Sequence, residues 1–143
     1  MSNNALHSVS VAAIVIDDAE RVLVIQQRDN GKWEPPGGVL ELGESILEGL
    51  QREVQEETGL LIEPQRLTGV YKNIARGIVA LVFRARARGG TLRASDETVQ
   101  AQWWPRDVIA EHLDEAYAVR VLDAFEAHGP AVRVHDGIRV INS

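Results

Sequence analysis

The stretch GVLELGESILEGLQREVQEETGL, residues 38–60, decides the fold of this chain. Ser45 is followed three residues later by Glu48, which is the pattern of a helix-capping box. Gly59 supplies the left-handed residue on which helices commonly end. These signals predict a helix over Ile46–Thr58.

The predicted helix carries an apolar stripe and, beside it, an unusual group of carboxylates. At about 100° per residue, one side collects the apolar residues Ile46, Leu47, Leu50 and Val54. Glu53, Glu56 and Glu57 stand at i, i+3 and i+4, and they share a face that overlaps the edge of the stripe. We therefore expect three like charges where water is scarce, with Glu57 pointing closest to the stripe.

Clustered, partly desolvated carboxylates are costly unless a cation or a positive side chain compensates them. Ligands that offer only oxygen favour Mg²⁺ or Mn²⁺, with Ca²⁺ as an alternative. Gly49 lies one turn before Glu53, and we expect it to leave room above the carboxylates. Ahead of the helix, residues 33–38 read as a stiff turn whose glycines allow a ligand close to the backbone.

The spacing of Gly38, Glu44 and the run 52–60, REVQEETGL, resembles the signature of the Nudix hydrolases, with every fixed position filled. Residues 33–37 also resemble that family. The resemblance implies the Nudix fold, an α/β (α+β) sandwich with a mixed β-sheet between helices. Residues 132–141 add a predicted C-terminal β-hairpin around an Asp-Gly turn.

The resemblance further implies metal-dependent hydrolysis of a nucleoside diphosphate linked to another group. By this analogy the Mg²⁺ or Mn²⁺ ligands are Glu53, Glu56 and Glu57, together with the carbonyl of Gly37 or Gly38. Glu97 precedes a predicted strand and is a candidate extra ligand or base, the alternative being a solvated turn.

The same analogy gives catalytic roles to four residues of the signature. Glu53 or Glu56 acts as the base, Arg52 positions the carboxylates, and Glu44 supports the metal ligands. The main alternative is a Nudix-like sensor that binds a nucleotide without cleaving it, and such domains usually have degenerate signatures. Here Arg52, Glu53, Glu56 and Glu57 are intact.

Candidate substrate contacts are Gly37, Gly38, Arg28 and Arg76. Arg28 could reach a phosphate or lie solvated in a turn. Arg76 shares a flexible-looking stretch with Tyr71 and Lys72, which either contact substrate or are exposed loop residues. For Trp33 we favour a place in the core over stacking on a base.

The identity of the substrate stays open. The absence of proline between residues 64 and 105 disfavours ADP-ribose, which leaves a MutT-like role on nucleoside triphosphates.

Composition limits the class of protein. The 143 residues, 45% of them hydrophobic, predict a single domain over 1–143. Without cysteine nothing requires an oxidising compartment, so we predict a cytoplasmic protein, and without a long apolar run we expect no membrane contact. The net charge of −6 argues against broad nucleic-acid binding.

Several elements and one assembly are also predicted. Residues 8–16 and Arg21–Gln27 read as strands covered on two faces, 60–62 and 67–71 as separate short strands, and 116–128 as a helix. The four histidines are expected at the surface. We predict a homodimer, because the tail hairpin and the strand face of Arg84, Arg86 and Arg88 could each meet a partner copy.

Overall fold

The computed structural model describes residues 6–142. Its strands are β1 Ser8–Val15, β2 Arg21–Gln27, β3 Trp33–Glu34, β4 Gly37–Val39, β5 Leu60–Asn73, β6 Ile78–Gly90, β7 Thr98–Pro105, β8 Ala131–His135 and β9 Val140–Asn142. Its helices are α1 Ile46–Thr58, α2 Arg106–His112 and α3 Glu115–Ala124. The strands form a mixed sheet in the order β4-β1-β6-β5-β8-β9 and a smaller antiparallel sheet in the order β3-β2-β7.

Strand β1 is buried on both faces, as its apolar run predicts. Its even-numbered residues, such as Ile14, pack into one core with Val121 of α3. Its odd-numbered residues, such as Val11, pack into a second core with Leu50 and Val54 of α1. The large sheet therefore lies between α1 and α3, which confirms the predicted sandwich. β2 is also buried but lies in the smaller sheet.

Helix α1 begins and ends where its capping signals predict. The Ser45 N–H donates to Glu48 Oε1 at 2.9 Å, the Glu48 N–H donates to Ser45 Oγ at 3.2 Å, and Gly59 has φ of 80°. The predicted apolar stripe is wrong in the first turn, where Ile46 and Leu47 are 41% and 46% exposed. Only the turns from Gly49 onward bury side chains against the sheet.

Four other predictions need correction. The short strands 60–62 and 67–71 are one strand, β5, in which register shifts accommodate Pro64. Tyr71 is fully buried within β5 rather than in a flexible loop, and His135 is only 1% exposed rather than at the surface. The helix predicted over 116–128 ends at Ala124.

The tail hairpin is confirmed, and β8 adds to the large sheet parallel to β5. The three arginines of β6 also make contacts within the chain. Arg84 donates to the Ala124 carbonyl, Arg86 pairs with Glu63, and Arg88 donates to the Ile62 carbonyl. Both features are thus explained without a second copy, and the homodimer stays a prediction. Within residues 6–142 no helix has the length and apolar character needed to span a membrane.

Candidate active site

The glycine turn and helix α1 meet at a partly buried hydrogen bond. The Gly37 N–H donates to Glu57 Oε1 at 2.7 Å. Both glycines are closely surrounded: a Cβ on Gly37 would clash with the Val11 carbonyl, and one on Gly38 would lie 2.5 Å from Glu53 Oε2. Glycine is needed at Gly37 because β4 lies directly against β1, and at Gly38 because β4 passes directly against the Glu53 carboxylate of α1.

The three glutamates differ sharply in burial. Glu57 is 3% exposed, and burial, reinforced by the charge of Glu53, raises its pKa to about 9 against the effect of the Gly37 N–H. The Glu53 side chain is 12% exposed, and burial raises its pKa although Arg52 opposes the shift. The Glu56 side chain is 61% exposed. The expectation that all three lie where water is scarce is therefore wrong for Glu56, which projects from the rim.

Arg52 is the cation that the carboxylates share in this structure. Its Nε and Nη2 donate to the two oxygens of Glu44 at 2.8 and 2.7 Å, which is a bidentate pair. Its Nη1 donates to Glu53 at 3.0 Å and to Glu56 at 3.2 Å. The hydrogen bond from Arg52, with a second from the Glu41 N–H, lowers the pKa of Glu44 to about 2. This geometry is the one expected of a residue that positions carboxylates.

Gly49 does not leave open space above the carboxylates. A Cβ there would lie 2.5 Å from Leu40 Cδ1 and 2.8 Å from Glu44 Oε1. The sequence expectation is wrong because the loop before α1 folds back over the helix. Glycine at this position lets Glu44 approach Arg52.

A loop from outside the signature closes the other side of the site. An open cleft of about 610 Å³ is lined by Glu56, Glu57, Arg93 and residues 94–97, so Glu97 faces the signature carboxylates, and its charge contributes to the raised pKa of Glu57. Arg93, which the sequence analysis missed, donates to the Gln55 and Glu56 carbonyls at the end of α1. No local signal in the sequence places Arg93 there.

Arg28 contacts this loop rather than the cleft of the glutamates. Its guanidinium donates to the carbonyls of Ser95, Asp96 and Thr98. This favours a positioning role for Arg28, and its binding of phosphate stays a prediction.

Arg76 lies away from the glutamates, in a separate cleft with Lys32 and Glu34. Trp33 packs on Trp104 with ring centroids 4.7 Å apart, which confirms its place in the core.

The donor set suits a hard divalent cation. As the side chains stand, no group of three acidic or histidine residues within residues 6–142 is arranged around one point as metal ligands. Arg52 holds Glu53 and Glu56 to itself, and Glu57 bonds to Gly37. However, Glu53 and Glu57 are both buried, and the charge of Glu53 helps to raise the pKa of Glu57. A bound cation would relieve this repulsion, and oxygen is the ligand that Mg²⁺ prefers.

Arg120, in the core on the other face of the large sheet, is a second residue that the sequence analysis missed. It is 7% exposed and lines a small cavity that reaches Gly37 and Gly38. A signal was present, since Arg120 stands four residues from both Ala116 and Ala124 and thus falls on the buried face of α3.

Comparison with known proteins gives a consistent result. The family model described as NUDIX domain matches residues 6–125. A MutT-like protein of Streptomyces ambofaciens is 53% identical over 136 residues, covering 95% of this chain and 88% of that protein. The 8-oxo-dGDP phosphatase NUDT18 of Mus musculus is 43% identical over 103 residues, covering 67% of this chain but only 32% of NUDT18.

Two further likenesses are more distant. An ADP-ribose pyrophosphatase of Methanocaldococcus jannaschii is 32% identical over 106 residues, covering 69% of this chain and 63% of that protein. Among solved structures, a NUDIX hydrolase from Nitrosomonas europaea superposes with a TM-score of 0.79 at 21% identity, covering 92% of this chain and 79% of that one. At this identity the superposition supports the fold alone.

Proposed function

This chain belongs to the Nudix hydrolase family, and on that premise we propose that it cleaves the pyrophosphate bond of a small nucleotide with the help of Mg²⁺ or Mn²⁺. The metal ligands in this proposal are Glu53, Glu56 and Glu57, with the carbonyl of Gly37 or Gly38, and Glu97 is an additional candidate. Arg52 and Glu44 hold the first two glutamates in place.

The observation that carries the proposal is the buried pair of Glu53 and Glu57 beside Gly37 and Gly38. Two carboxylates with side chains this deeply buried are ordinarily compensated by cations, and Arg52 reaches only Glu53 of the two. A divalent cation brought in with a polyphosphate supplies the missing charge.

Each residue has a task in the reaction that follows from its contacts. When bound, the divalent ion neutralises phosphate oxygens and lowers the pKa of water. The Gly37 N–H fixes the direction of the Glu57 carboxylate, and the bidentate bond to Glu44 fixes the guanidinium of Arg52. We assign the base to Glu53 rather than Glu56, because a buried carboxylate accepts a proton from the attacking water more readily than an exposed one.

Attack at phosphorus makes a prediction about the products. In ¹⁸O-labelled water, hydrolysis should place the label on a phosphate or nucleotide phosphate group, measured by mass spectrometry of the separated products. Label found only on a non-phosphate product would contradict this mechanism. Products formed in unlabelled water and then incubated in labelled water are the control for exchange of oxygen after cleavage.

The names of the relatives give the order in which substrates are best tried. A MutT-like protein and an 8-oxo-dGDP phosphatase support nucleoside di- and triphosphates, including oxidised ones, as the first class. The ADP-ribose pyrophosphatase keeps ADP-ribose in the screen, although the missing proline disfavours it. The test is a Mg²⁺-containing screen of (deoxy)nucleoside di- and triphosphates, ADP-ribose, nucleotide sugars and dinucleoside polyphosphates. Tight binding with no turnover of any of them would favour the sensor alternative.

A further inference from the structure

Two adjoining chambers lie next to Gly37 and Gly38, outside the cleft of the glutamates. The inner one, of about 110 Å³, is lined by Gly37, Gly38, Tyr117, Arg120 and His135. The outer one, of about 340 Å³, is lined by Lys32, Glu34, Arg76 and the turn after β8. Asn73, Ile78 and Tyr117 line both chambers, so the two adjoin, and the inner one reaches the β4 glycines. We refer to the two chambers together as the path.

The guanidinium of Arg120 is deeply buried but poorly supplied with acceptors. Its Nε has no hydrogen-bond partner within residues 6–142, and its Nη2 lies 3.2 Å from His135 Nε2. His135 Nδ1 already lies 2.9 Å from the Gly137 N–H, another donor. A neutral imidazole accepts at only one nitrogen, so His135 cannot serve both neighbours.

The carboxylate nearest to Arg120 along α3 does not solve this problem. Asp123 accepts from the Tyr71 hydroxyl at 2.7 Å and from the guanidinium of Arg133 at 2.7 and 2.8 Å. The rings of Tyr71 and Tyr117 lie 5.0 and 4.8 Å from the Arg120 guanidinium carbon, and these cation–π contacts offset part of its desolvation. A buried N–H without an acceptor is a costly feature, and here it borders a chamber.

Glu34 places an acceptor along the same path. One of its oxygens, Oε1, accepts from the Gln27 side chain at 2.7 Å, and the carboxylate has no hydrogen bond to Arg120. A ligand in the chambers therefore meets N–H donors at Arg120 and a carboxylate acceptor at Glu34. Guanine has this complementary pattern, with O6 and N7 as acceptors and its ring and amino N–H groups as donors.

We propose that Arg120 is a specificity-determining residue, donating to the carbonyl edge of a 6-oxopurine base in this path while Glu34 accepts from N–H groups of the same base. Adenine carries an amino donor where guanine carries O6, so it would set donor against donor. The inference rests on the proposed function in one respect only: the base belongs to a nucleotide whose phosphates extend past Gly37 and Gly38 toward α1.

Binding without turnover tests this inference separately from hydrolysis. We would titrate the protein in EDTA with GMP, IMP and AMP and measure affinity by calorimetry. Wild type should bind GMP at least about tenfold more tightly than AMP, and Arg120→Met should reduce this ratio to within about twofold. IMP lacks the amino group but keeps O6 and the ring N1–H, so its affinity should fall in both Arg120→Met and Glu34→Gln, with a smaller fall than that of GMP in Glu34→Gln.

Val121→Ala is the matched control, because Val121 is a buried neighbour on α3 that lines neither chamber. It should lower the melting temperature and leave the ratio of GMP to AMP affinity unchanged. Arg120→Lys, which keeps the charge but loses the planar fork, should also lose selectivity, and it serves in place of Arg120→Met if that variant does not fold.

Three results would overturn the inference: equal affinity of wild type for GMP and AMP, selectivity that survives in both Arg120 variants, or equal weakening of all three nucleotides. None of these depends on catalysis. A wild type that selects GMP in EDTA but hydrolyses nothing with Mg²⁺ would contradict the proposed function and leave the role of Arg120 standing. Hydrolysis without base selectivity would do the reverse.

Discussion

Glu57→Gln is expected to lower nucleotide hydrolysis by at least about a hundredfold, since losing even an outer-shell partner of a metal costs up to that much. Glutamine keeps the size of the side chain and an oxygen that can accept from the Gly37 N–H. What it removes is the charge that the cation needs. Initial rates with Mg²⁺ measure the effect. Glu63→Gln, at an exposed position on β5 with no contact to the site, is the control and should retain full activity.

The same substitution should leave the metal-free protein at least as stable as wild type. Burial raises the pKa of Glu57 from 4.5 to about 9, so folding favours its protonated form. This favourable contribution is fully present below pH 4.5 and is lost as pH rises through about 9. At neutral pH this effect lowers the free energy of unfolding of the wild type by as much as about 3 kcal/mol. Glutamine avoids the loss because it does not ionise.

Melting curves in EDTA at several pH values test this linkage. Wild type should lose stability between pH 5 and pH 9, while Glu57→Gln should change much less over the same range. Glu56→Gln, at the exposed rim, should behave like wild type. A Glu57→Gln protein that is clearly less stable than wild type in EDTA would mean that the charged carboxylate stabilises the fold through its bond to Gly37, and that its role is structural.

Removing divalent metal should reduce hydrolysis to background, the largest effect that we predict. Without a cation, the substrate phosphates meet the carboxylates of Glu56 and Glu97, which line the cleft and have the same sign of charge. Activity should return when Mg²⁺ is added in excess of EDTA, which controls for damage by the chelator. The optimum should be alkaline, because the attacking water must lose a proton beside carboxylates and an anionic substrate. Undiminished turnover in excess EDTA would contradict the metal assignment.

Local signals explain which parts of the fold could be predicted from the sequence. Helix α1 was predicted with its observed bounds, because Ser45, Glu48 and Gly59 act on backbone groups within one turn of themselves. The burial of Glu57 was also predictable, since its bearing relative to Leu50 and Val54 follows from helix geometry alone.

The errors come from contacts between elements far apart in the chain. Tyr71 and His135 are buried because α3 and β8 pack against β5, and nothing near either residue in the sequence indicates this. Ile46 and Leu47 are exposed because α1 buries side chains only from Gly49 onward. Arg120 was missed because charged residues are seldom expected in a core, although its spacing on α3 places it there.

The most direct test of the central claim, that the carboxylates of α1 bind the catalytic metal, is the change in melting temperature on adding Mg²⁺ to wild type and to Glu57→Gln, each measured from EDTA. A cation that binds the folded state raises its stability in proportion to the logarithm of metal concentration over the dissociation constant. The account predicts a concentration-dependent rise for wild type and a clearly smaller one for Glu57→Gln at every Mg²⁺ concentration. Equal rises in both proteins, or no rise in either, would contradict it.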